Sequence, residues 1–532
     1  MLIAVFGGCT KNDAPLVSST PADTTPQTTT TPNDDENDPE PEPNDEGVIS
    51  WITYGLDKVN SADTPPSKSK MEDTVTLYMG KGESESATMA VFSEKKLSSV
   101  SLVVKNAPPD VGITLYKQYY QTINNKKYPD GIALLNETTL IMKQTVQGYL
   151  ITLTTTPETE ASDKSMTIEL QDKDGNVLTS CNLNLHVWDI TYPENSYRTA
   201  TDIEEDVLSK LSGLQVGSDE FRELYRHYYE KLLSYRMCAY DLPYDILDER
   251  ADKYMSDPRV TAFQIPTAVD DDTLKKYYDK VSSNADWLKK AYAYPFDEPT
   301  NAEMYDEVIT LVERIETICP ELRVVVPFFK NFDYDGERDA IDVQAQYMEI
   351  FCVNTEPMVN TDFSRRLREE LKADPDKELW TYVCWGPRYP FLNLFVNESG
   401  LDHRMLFWQK YNLDSDGFLY WSSTYWHAVG NPWQSMMTVP GLSTSVFGDG
   451  SLMYSGIGYE KACGSIRLDI IRDGIEDVEL MMMAEEIFGR DWVLERSKKV
   501  SSDLRNYLSS KEKFFTIRNE IAEALEEALS DK

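Results

Sequence analysis

The chain has 532 residues and a formal net charge of -38, with 90 acidic against 52 basic side chains. A hydrophobic fraction of 41% and an aromatic fraction of 11% fit a globular protein with more than one core. Nucleic-acid binding is excluded, because it requires clustered Lys and Arg and no such cluster occurs. No internal stretch approaches the roughly 18–20 apolar residues that span a bilayer, so membrane contact is expected only through an anchor.

The amino terminus combines a short apolar segment with a polar spacer. Met1–Gly8 (MLIAVFGG) ends in small residues before Cys9 and resembles the end of a bacterial lipoprotein signal, although it lacks a positive start. We interpret residues 1–9 as a signal remnant with Cys9 lipidated; a frayed apolar terminus is the alternative. Residues 10–46 are acidic and rich in Thr and Pro. They bury too little apolar surface to fold, which predicts a disordered linker.

Residues 47–193 alternate polar and apolar side chains with a period of two. Thr74–Gly80 (TVTLYMG), Tyr149–Thr155 (YLITLTT) and Asn182–Ile190 (NLNLHVWDI) follow this pattern, and Asp174-Gly175 is typical of a hairpin turn. Short alternating segments separated by turns predict an N-terminal antiparallel β-sandwich.

Between residues 194 and 463, strand-like and helix-like segments alternate. Eight alternations over this length match a (β/α)8 TIM-like barrel, whose usual size is roughly 250 residues. A doubly wound open sheet is the alternative, but no Gly-rich phosphate loop follows any strand. The strand candidates are Thr199–Ile203, Met237–Tyr240, Ala262–Ile265, Ala291–Phe296, Arg323–Phe328, Met348–Val353, Leu379–Cys384 and Gly417–Trp421.

The remaining residues, 464–532, are charged and helical in pattern, so the chain is predicted to be multidomain with a C-terminal helical region. The seven cysteines and four histidines of the whole chain are scattered without CxxC or other metal-ligand spacing. No metal site and no cofactor are therefore expected.

Two adjacent carboxylates follow the fourth strand candidate, in the segment AYAYPFDEPT. Active sites of such barrels lie at the carboxyl ends of the strands, where Asp297 and Glu298 fall. Neighbouring carboxyls favour split pKa values, which supplies one charged stabiliser and one general acid. The alternative is structural, because Asp-Glu-Pro also begins helices, with Asp as the N-cap.

Polar and aromatic residues follow three later strand candidates. Aromatic faces stack on the C–H faces of sugar rings and polar groups bind hydroxyls, so this rim predicts a carbohydrate ligand. The candidate binding residues are Asn354 after the sixth strand, Trp385 and Arg388 after the seventh, and Trp421, Tyr425 and Trp426 after the eighth.

These segments also carry a family resemblance. YPFDEP, YVCWGPRYP, GFLYWSSTYW, GDGSLMYSG and SIRLDIIRDGIEDVELM resemble glycoside hydrolase family 123 and its uncharacterised relatives, in order across about Tyr54–Met483. The resemblance implies a β-sandwich, a catalytic barrel and retaining, exo-acting β-N-acetylgalactosaminidase activity. The consecutive Asp-Glu pair of that family maps onto Asp297 and Glu298.

The spacing of the pair agrees with that assignment. Ordinary retaining glycosidases place two carboxylates roughly 5–5.5 Å apart on opposite faces of the sugar, which adjacent residues do poorly. Adjacent carboxylates suit the substrate-assisted route, in which the 2-acetamido oxygen attacks the anomeric carbon. Asp297 would then orient the acetamido group and Glu298 would act as acid and base. Asp449 in the GDG loop is a further candidate for binding hydroxyls.

Two other functions remain open: a glycosidase for a different sugar on the same scaffold, and a non-catalytic surface lipoprotein that binds glycans. The expected substrate is a glycosphingolipid or glycoprotein-type oligosaccharide ending in N-acetylhexosamine. The expected location is outside the cell, lipid-anchored to a bacterial membrane.

Overall fold

The structure is a computed structural model that describes residues 41–61, 64–436 and 446–531. Cys9 and residues 10–40 of the predicted linker lie outside the described residues. Within those residues, no helix is both long and apolar enough to cross a membrane.

The first unit is a pair of packed five-stranded sheets. Alternation directs apolar side chains inward, as in β9, where Met166, Ile168 and Leu170 are buried between more exposed neighbours. One sheet has the order β1-β3-β8-β5-β6 and the other β2-β10-β9-β4-β7. The strands are β1 (Val48–Tyr54), β2 (Thr74–Lys81), β3 (Ser84–Ser93), β4 (Leu97–Lys105), β5 (Gly112–Ile123), β6 (Lys126–Leu134), β7 (Thr139–Ile141), β8 (Val146–Thr154), β9 (Asp163–Gln171) and β10 (Val177–Thr191).

The predicted antiparallel β-sandwich is confirmed. Hairpin β9–β10 turns at Gly175, whose φ of +83° is one that glycine adopts freely. One pair departs from the pattern, because β2 runs parallel to β10.

The second unit is a parallel barrel. Its strands are β11 (Arg198–Thr201), β12 (Phe263–Gln264), β13 (Ala291–Ala293), β14 (Arg323–Phe328), β15 (Ile350–Asn354), β16 (Glu378–Val383) and β17 (Gly417–Tyr420), in the order β11-β17-β16-β15-β14-β13-β12. Residues 238–240 lie between the two edge strands. Tyr240 N donates to Thr201 O, and Gln264 N donates to Tyr240 O, each at 2.8 Å. This segment takes the second of the eight predicted strand positions, so the barrel is nearly closed and the predicted fold class is confirmed.

Helices surround the barrel and form the carboxyl-terminal region. They are α1 (Glu205–Ser212), α2 (Asp219–Leu233), α3 (Glu249–Met255), α4 (Asp271–Ser282), α5 (Ala285–Lys290), α6 (Ala302–Ile318), α7 (Ala340–Tyr347), α8 (Thr361–Ala373), α9 (Gly400–Asn412), α10 (Ile466–Phe488), α11 (Arg490–Val500) and α12 (Lys511–Ser530). The short elements are 3-10 turns at Lys68–Lys70 and Pro357–Val359 and a hairpin of β18 (Tyr454–Ser455) and β19 (Ala462–Cys463).

Helix α10 joins the units through buried ion pairs. Asp477 on this helix accepts from Arg404 Nε on α9 at 2.8 Å and from Arg518 Nε on α12 at 2.6 Å. Arg404 also donates to Glu85 Oε1 of the sandwich at 3.0 Å. All four side chains are buried, so removing one partner would leave an uncompensated charge. These contacts fix the sandwich against the barrel.

Candidate active site

The adjacent carboxylates lie at the mouth of the barrel. Strand β13 ends at Ala293, and Asp297 and Glu298 follow at its carboxyl end. Neither caps the next helix: α6 begins at Ala302, and its N-cap is Asn301, whose Oδ1 accepts from Met304 N at 3.0 Å. The helix-start interpretation of Asp297 is therefore wrong.

The backbone at Glu298 is strained. Its φ of +44° lies in the left-handed region, and Pro299 further restricts the residue before it. Such a conformation in a non-glycine residue costs of order 1–3 kcal/mol and persists only where surrounding contacts impose it. Here the Tyr382 hydroxyl on β16 donates a hydrogen bond to Glu298 Oε1. The strained turn thus directs this side chain toward the barrel interior.

Asp297 has a different partner. The Tyr294 hydroxyl, from the same loop, donates to Asp297 Oδ1 at 2.8 Å. The Tyr294 ring lies edge-on to Tyr240 at a centroid distance of 5.6 Å. Asp297 keeps an accessible surface at the barrel mouth, although protein atoms surround most of its carboxyl group and shield it from bulk water. The two carboxyl groups are therefore held by tyrosines from different parts of the barrel.

Burial in the barrel mouth raises the pKa of both carboxyls. It raises the pKa of Glu298 to about 7, with the neighbouring Asp297 charge adding to the rise and the Tyr382 hydrogen bond opposing it. It also raises the pKa of Asp297, again against the hydrogen bond from Tyr294. Glu298 consequently carries a proton over much of the range below neutral pH, as a general acid must.

A cavity of about 510 Å³ opens beside Glu298. Among its lining residues, Asn354 and Trp385 belong to the predicted binding set, and Phe329 was not identified from sequence. Trp385 is 41% exposed and Phe329 40% exposed, so two aromatic faces are available to a ligand. Asn354 is buried, and its Nδ2 donates to Gly386 O at 3.4 Å. The site therefore combines an acid, an amide and two aromatic rings.

Three other predicted binding residues lie near the barrel mouth but do not line this cavity. Arg388 is exposed in the loop after β16 and is not among the residues that line the cavity. Trp421 and Tyr425 follow β17 with ring centroids 4.7 Å apart, and both are half-buried at another part of the mouth. These three residues lie on the predicted rim but outside the cavity beside Glu298.

Two predictions require correction. Trp426 is 1% exposed and packs near Tyr228 of α2, so it belongs to the core and not to a sugar-binding wall. Asp449 is also buried, and its Oδ1 accepts from Trp421 Nε1 at 3.1 Å and Tyr420 OH at 3.3 Å. It supports Trp421 from behind; its Oδ2 is also buried and has no hydrogen-bond partner among the described residues, so the carboxylate is enclosed and not open at the rim. The position of a residue in the sequence predicts which strand it follows, but it does not predict the direction in which its side chain points.

One group of described residues has the composition of a cation site. Ligand atoms of Glu204, Asp206 and His427 lie within 4.8 Å of one another, although His427 is distant in sequence from the two acids. His427 Nε2 lies 3.6 Å from a carboxylate oxygen of each acid. Neither Asp297 nor Glu298 belongs to this group. The expected lack of a metal or cofactor stays a prediction.

Comparison with known proteins agrees with this geometry. Residues 271–484, which include the carboxylate pair and Asn354, Trp385 and Trp421, match the family model "Glycoside hydrolase 123, catalytic domain". The chain carries a glycoside hydrolase 123 catalytic domain. The family resemblance predicted from sequence is therefore confirmed.

The fold of this hydrolase domain and its sandwich also has a solved counterpart. A family 123 glycoside hydrolase from Clostridium perfringens, described for glycolipid glycan hydrolysis, aligns over 91% of this chain and 98% of its own with a TM-score of 0.63 and 13% identity. A FixG-related protein from Vibrio parahaemolyticus aligns over 26% of this chain and 96% of its own with 11% identity and a TM-score of 0.15, which supports no conclusion. No curated protein is significantly similar in sequence.

Proposed function

We propose that the chain is a retaining, exo-acting β-N-acetylgalactosaminidase that uses the 2-acetamido group of its substrate as the nucleophile. The observation that carries this proposal is the carboxylate pair at a single strand end, with Glu298 facing a cavity. Adjacent residues cannot easily flank a glycosidic bond from both sides, whereas the substrate-assisted route takes its nucleophile from the substrate and needs no protein carboxylate on the opposite face of the sugar.

Asp297 would orient the acetamido group. In this role its carboxylate accepts the acetamido N–H and stabilises the positive charge that develops as the oxazolinium ring closes. The Tyr294 hydroxyl at 2.8 Å supports this function because it holds the carboxylate in one orientation. Asp297 must be ionised for the task, so activity requires a pH above its raised pKa.

Glu298 would transfer the protons. It would protonate the leaving oxygen and then remove a proton from the incoming water, which opens the oxazolinium ring with retention. A pKa of about 7 suits a group that gives and accepts a proton in one cycle.

The cavity would hold the sugar. Trp385 and Phe329 offer faces for stacking, and Asn354 offers a polar group beside Glu298. Arg388, Trp421 and Tyr425 would contact portions of the glycan that extend beyond the cavity. The substrate class would be a glycolipid or glycoprotein-type oligosaccharide ending in N-acetylhexosamine, consistent with the glycolipid glycans associated with the Clostridium perfringens structure.

We also propose that the enzyme is exported and anchored to a bacterial membrane through lipid on Cys9. The acidic, Thr- and Pro-rich residues that follow Cys9 support this location, because such a spacer would hold the catalytic unit away from the membrane. Labelling of cells with radioactive palmitate, with Cys9→Ser as control, tests this proposal. Equal labelling of both proteins would refute it.

Activity is tested with a panel of aryl β-glycosides. We expect release from N-acetylgalactosaminide, little from galactoside or glucoside, and retention of anomeric configuration by proton NMR. A thiazoline mimic of the cyclised sugar should inhibit. Turnover of galactoside at a comparable rate would favour a different glycosidase, and glycan binding without any turnover would favour a binding protein.

A further inference from the structure

Each carboxyl of the pair receives a hydrogen bond from a different tyrosine. Tyr382 on β16 donates to Glu298, and Tyr294, just after β13, donates to Asp297. Neither tyrosine was identified from sequence. These are the side-chain hydrogen bonds that the two carboxyls accept among the described residues, so they are the contacts that fix the orientation of each carboxyl.

Tyr382 is held rigidly. It is 3% exposed within the barrel interior, and β16 pairs there with both neighbouring strands, so that Tyr382 lies opposite Asn354 on one side and Leu419 on the other. Because the pairing of β16 with both neighbours fixes the Tyr382 ring, it also fixes the position of the Tyr382 hydroxyl. It also explains how Glu298 remains in a left-handed conformation, since the hydrogen bond offsets part of the strain.

We propose that Tyr382 is a positioning residue that fixes the Glu298 carboxyl for proton transfer, while Tyr294 fixes Asp297 for the acetamido group. The inference rests on the proposed function, because it assigns separate tasks to the two carboxyls. Each tyrosine hydroxyl stabilises the ionised form of the carboxyl to which it donates, and it does not stabilise the other carboxyl.

Other titratable groups lie around the pair, and neither substitution changes them. Cys352 on β15 lies near both carboxyls and Tyr240, between β11 and β12, lies near Asp297, whereas Lys330, Glu356 and Asp362 line the cavity beside Glu298. Replacing one tyrosine by phenylalanine therefore alters a single hydrogen bond against a constant background.

The experiment compares Tyr382→Phe and Tyr294→Phe across the pH profile of kcat/KM. Loss of a donor raises the pKa of the carboxyl it served, by about 1 unit for one charge-assisted hydrogen bond. Tyr382→Phe should move the basic limb, which reports protonated Glu298, to higher pH. Tyr294→Phe should move the acidic limb, which reports ionised Asp297, to higher pH. Tyr382→Phe should also lose more activity with alkyl than with nitrophenyl leaving groups.

Tyr292→Phe is the matched control. Tyr292 is fully buried in the same interior, and its hydroxyl has no hydrogen-bond partner among the described residues. It should leave both limbs unchanged. If Tyr382→Phe folds normally but loses activity equally at every pH and for every leaving group, its hydroxyl is only structural and the proposal is overturned.

An independent measurement separates this inference from the proposed function. Infrared titration of protein labelled with 13C-glutamate, with the band assigned by its loss in Glu298→Gln, reports the pKa of Glu298 without turnover. A higher value in Tyr382→Phe supports the inference even if no N-acetylhexosaminide is hydrolysed, in which case only the proposed function fails. An unchanged value overturns the inference even if the enzyme is active.

Discussion

Replacing Glu298 by glutamine should remove general acid catalysis from the first step and general base catalysis from the second, and kcat/KM reports the loss in the first step. Burial raises the pKa of this carboxyl to about 7, so the protonated form predominates below neutral pH and falls about tenfold for each further unit above it. Wild-type kcat/KM on an alkyl glycoside should therefore decline above neutral pH. General acid catalysis contributes about 100- to 10,000-fold, equivalent to about 3–5 kcal/mol of transition-state stabilisation, and glutamine should lose this factor.

The assay compares alkyl and 4-nitrophenyl N-acetylgalactosaminides across the pH profile. A nitrophenolate leaves with little protonation, so the variant should retain much more of its activity on that substrate. Because glutamine does not titrate, the basic limb should also disappear. Equal losses on both substrates, or a basic limb that persists in the variant, would refute the assignment of Glu298 as the acid.

Three further outcomes are expected. Asp297→Asn should lower kcat by about 100-fold or more with unchanged thermal unfolding, because it removes the charge that orients the acetamido group; a normal kcat would contradict that role. Trp385→Ala should raise KM without changing the free energy of unfolding, whereas Trp426→Ala should lower that free energy by about 3–5 kcal/mol, because only the Trp426 ring is buried. Denaturant unfolding and steady-state kinetics measure the two effects, and the reverse pattern would reject the cavity assignment. Lys410→Met should stabilise the protein at neutral pH by up to about 4 kcal/mol, because burial lowers the folded-state pKa of Lys410 to about 7, below its unfolded value. Wild type should recover that difference as pH rises from about 7 to 10, and a stability difference that does not change with pH would count against a buried charge.

The order of the barrel strands could be predicted because the alternation of strands and helices depends on short segments of sequence. Parallel strands bring their carboxyl ends to one rim, so the sequence alone assigns the segments after β13, β15, β16 and β17 to a common mouth. That reasoning locates Asp297, Glu298, Asn354 and Trp385. It does not reveal side-chain direction, which explains why Trp426, one residue after the half-buried Tyr425, was placed wrongly.

Local sequence thus determined the sandwich, the barrel and the strand end that bears the two acids, because period, turn residues and strand order act over short distances. Tertiary structure alone decided which partner each acid has. Tyr382 is 84 residues from Glu298 in the chain, and only the register of β16 within the barrel brings its hydroxyl to that carboxyl. The elevated pKa of Glu298 likewise arises from burial, a property of the assembled barrel and not of the residues beside it in sequence.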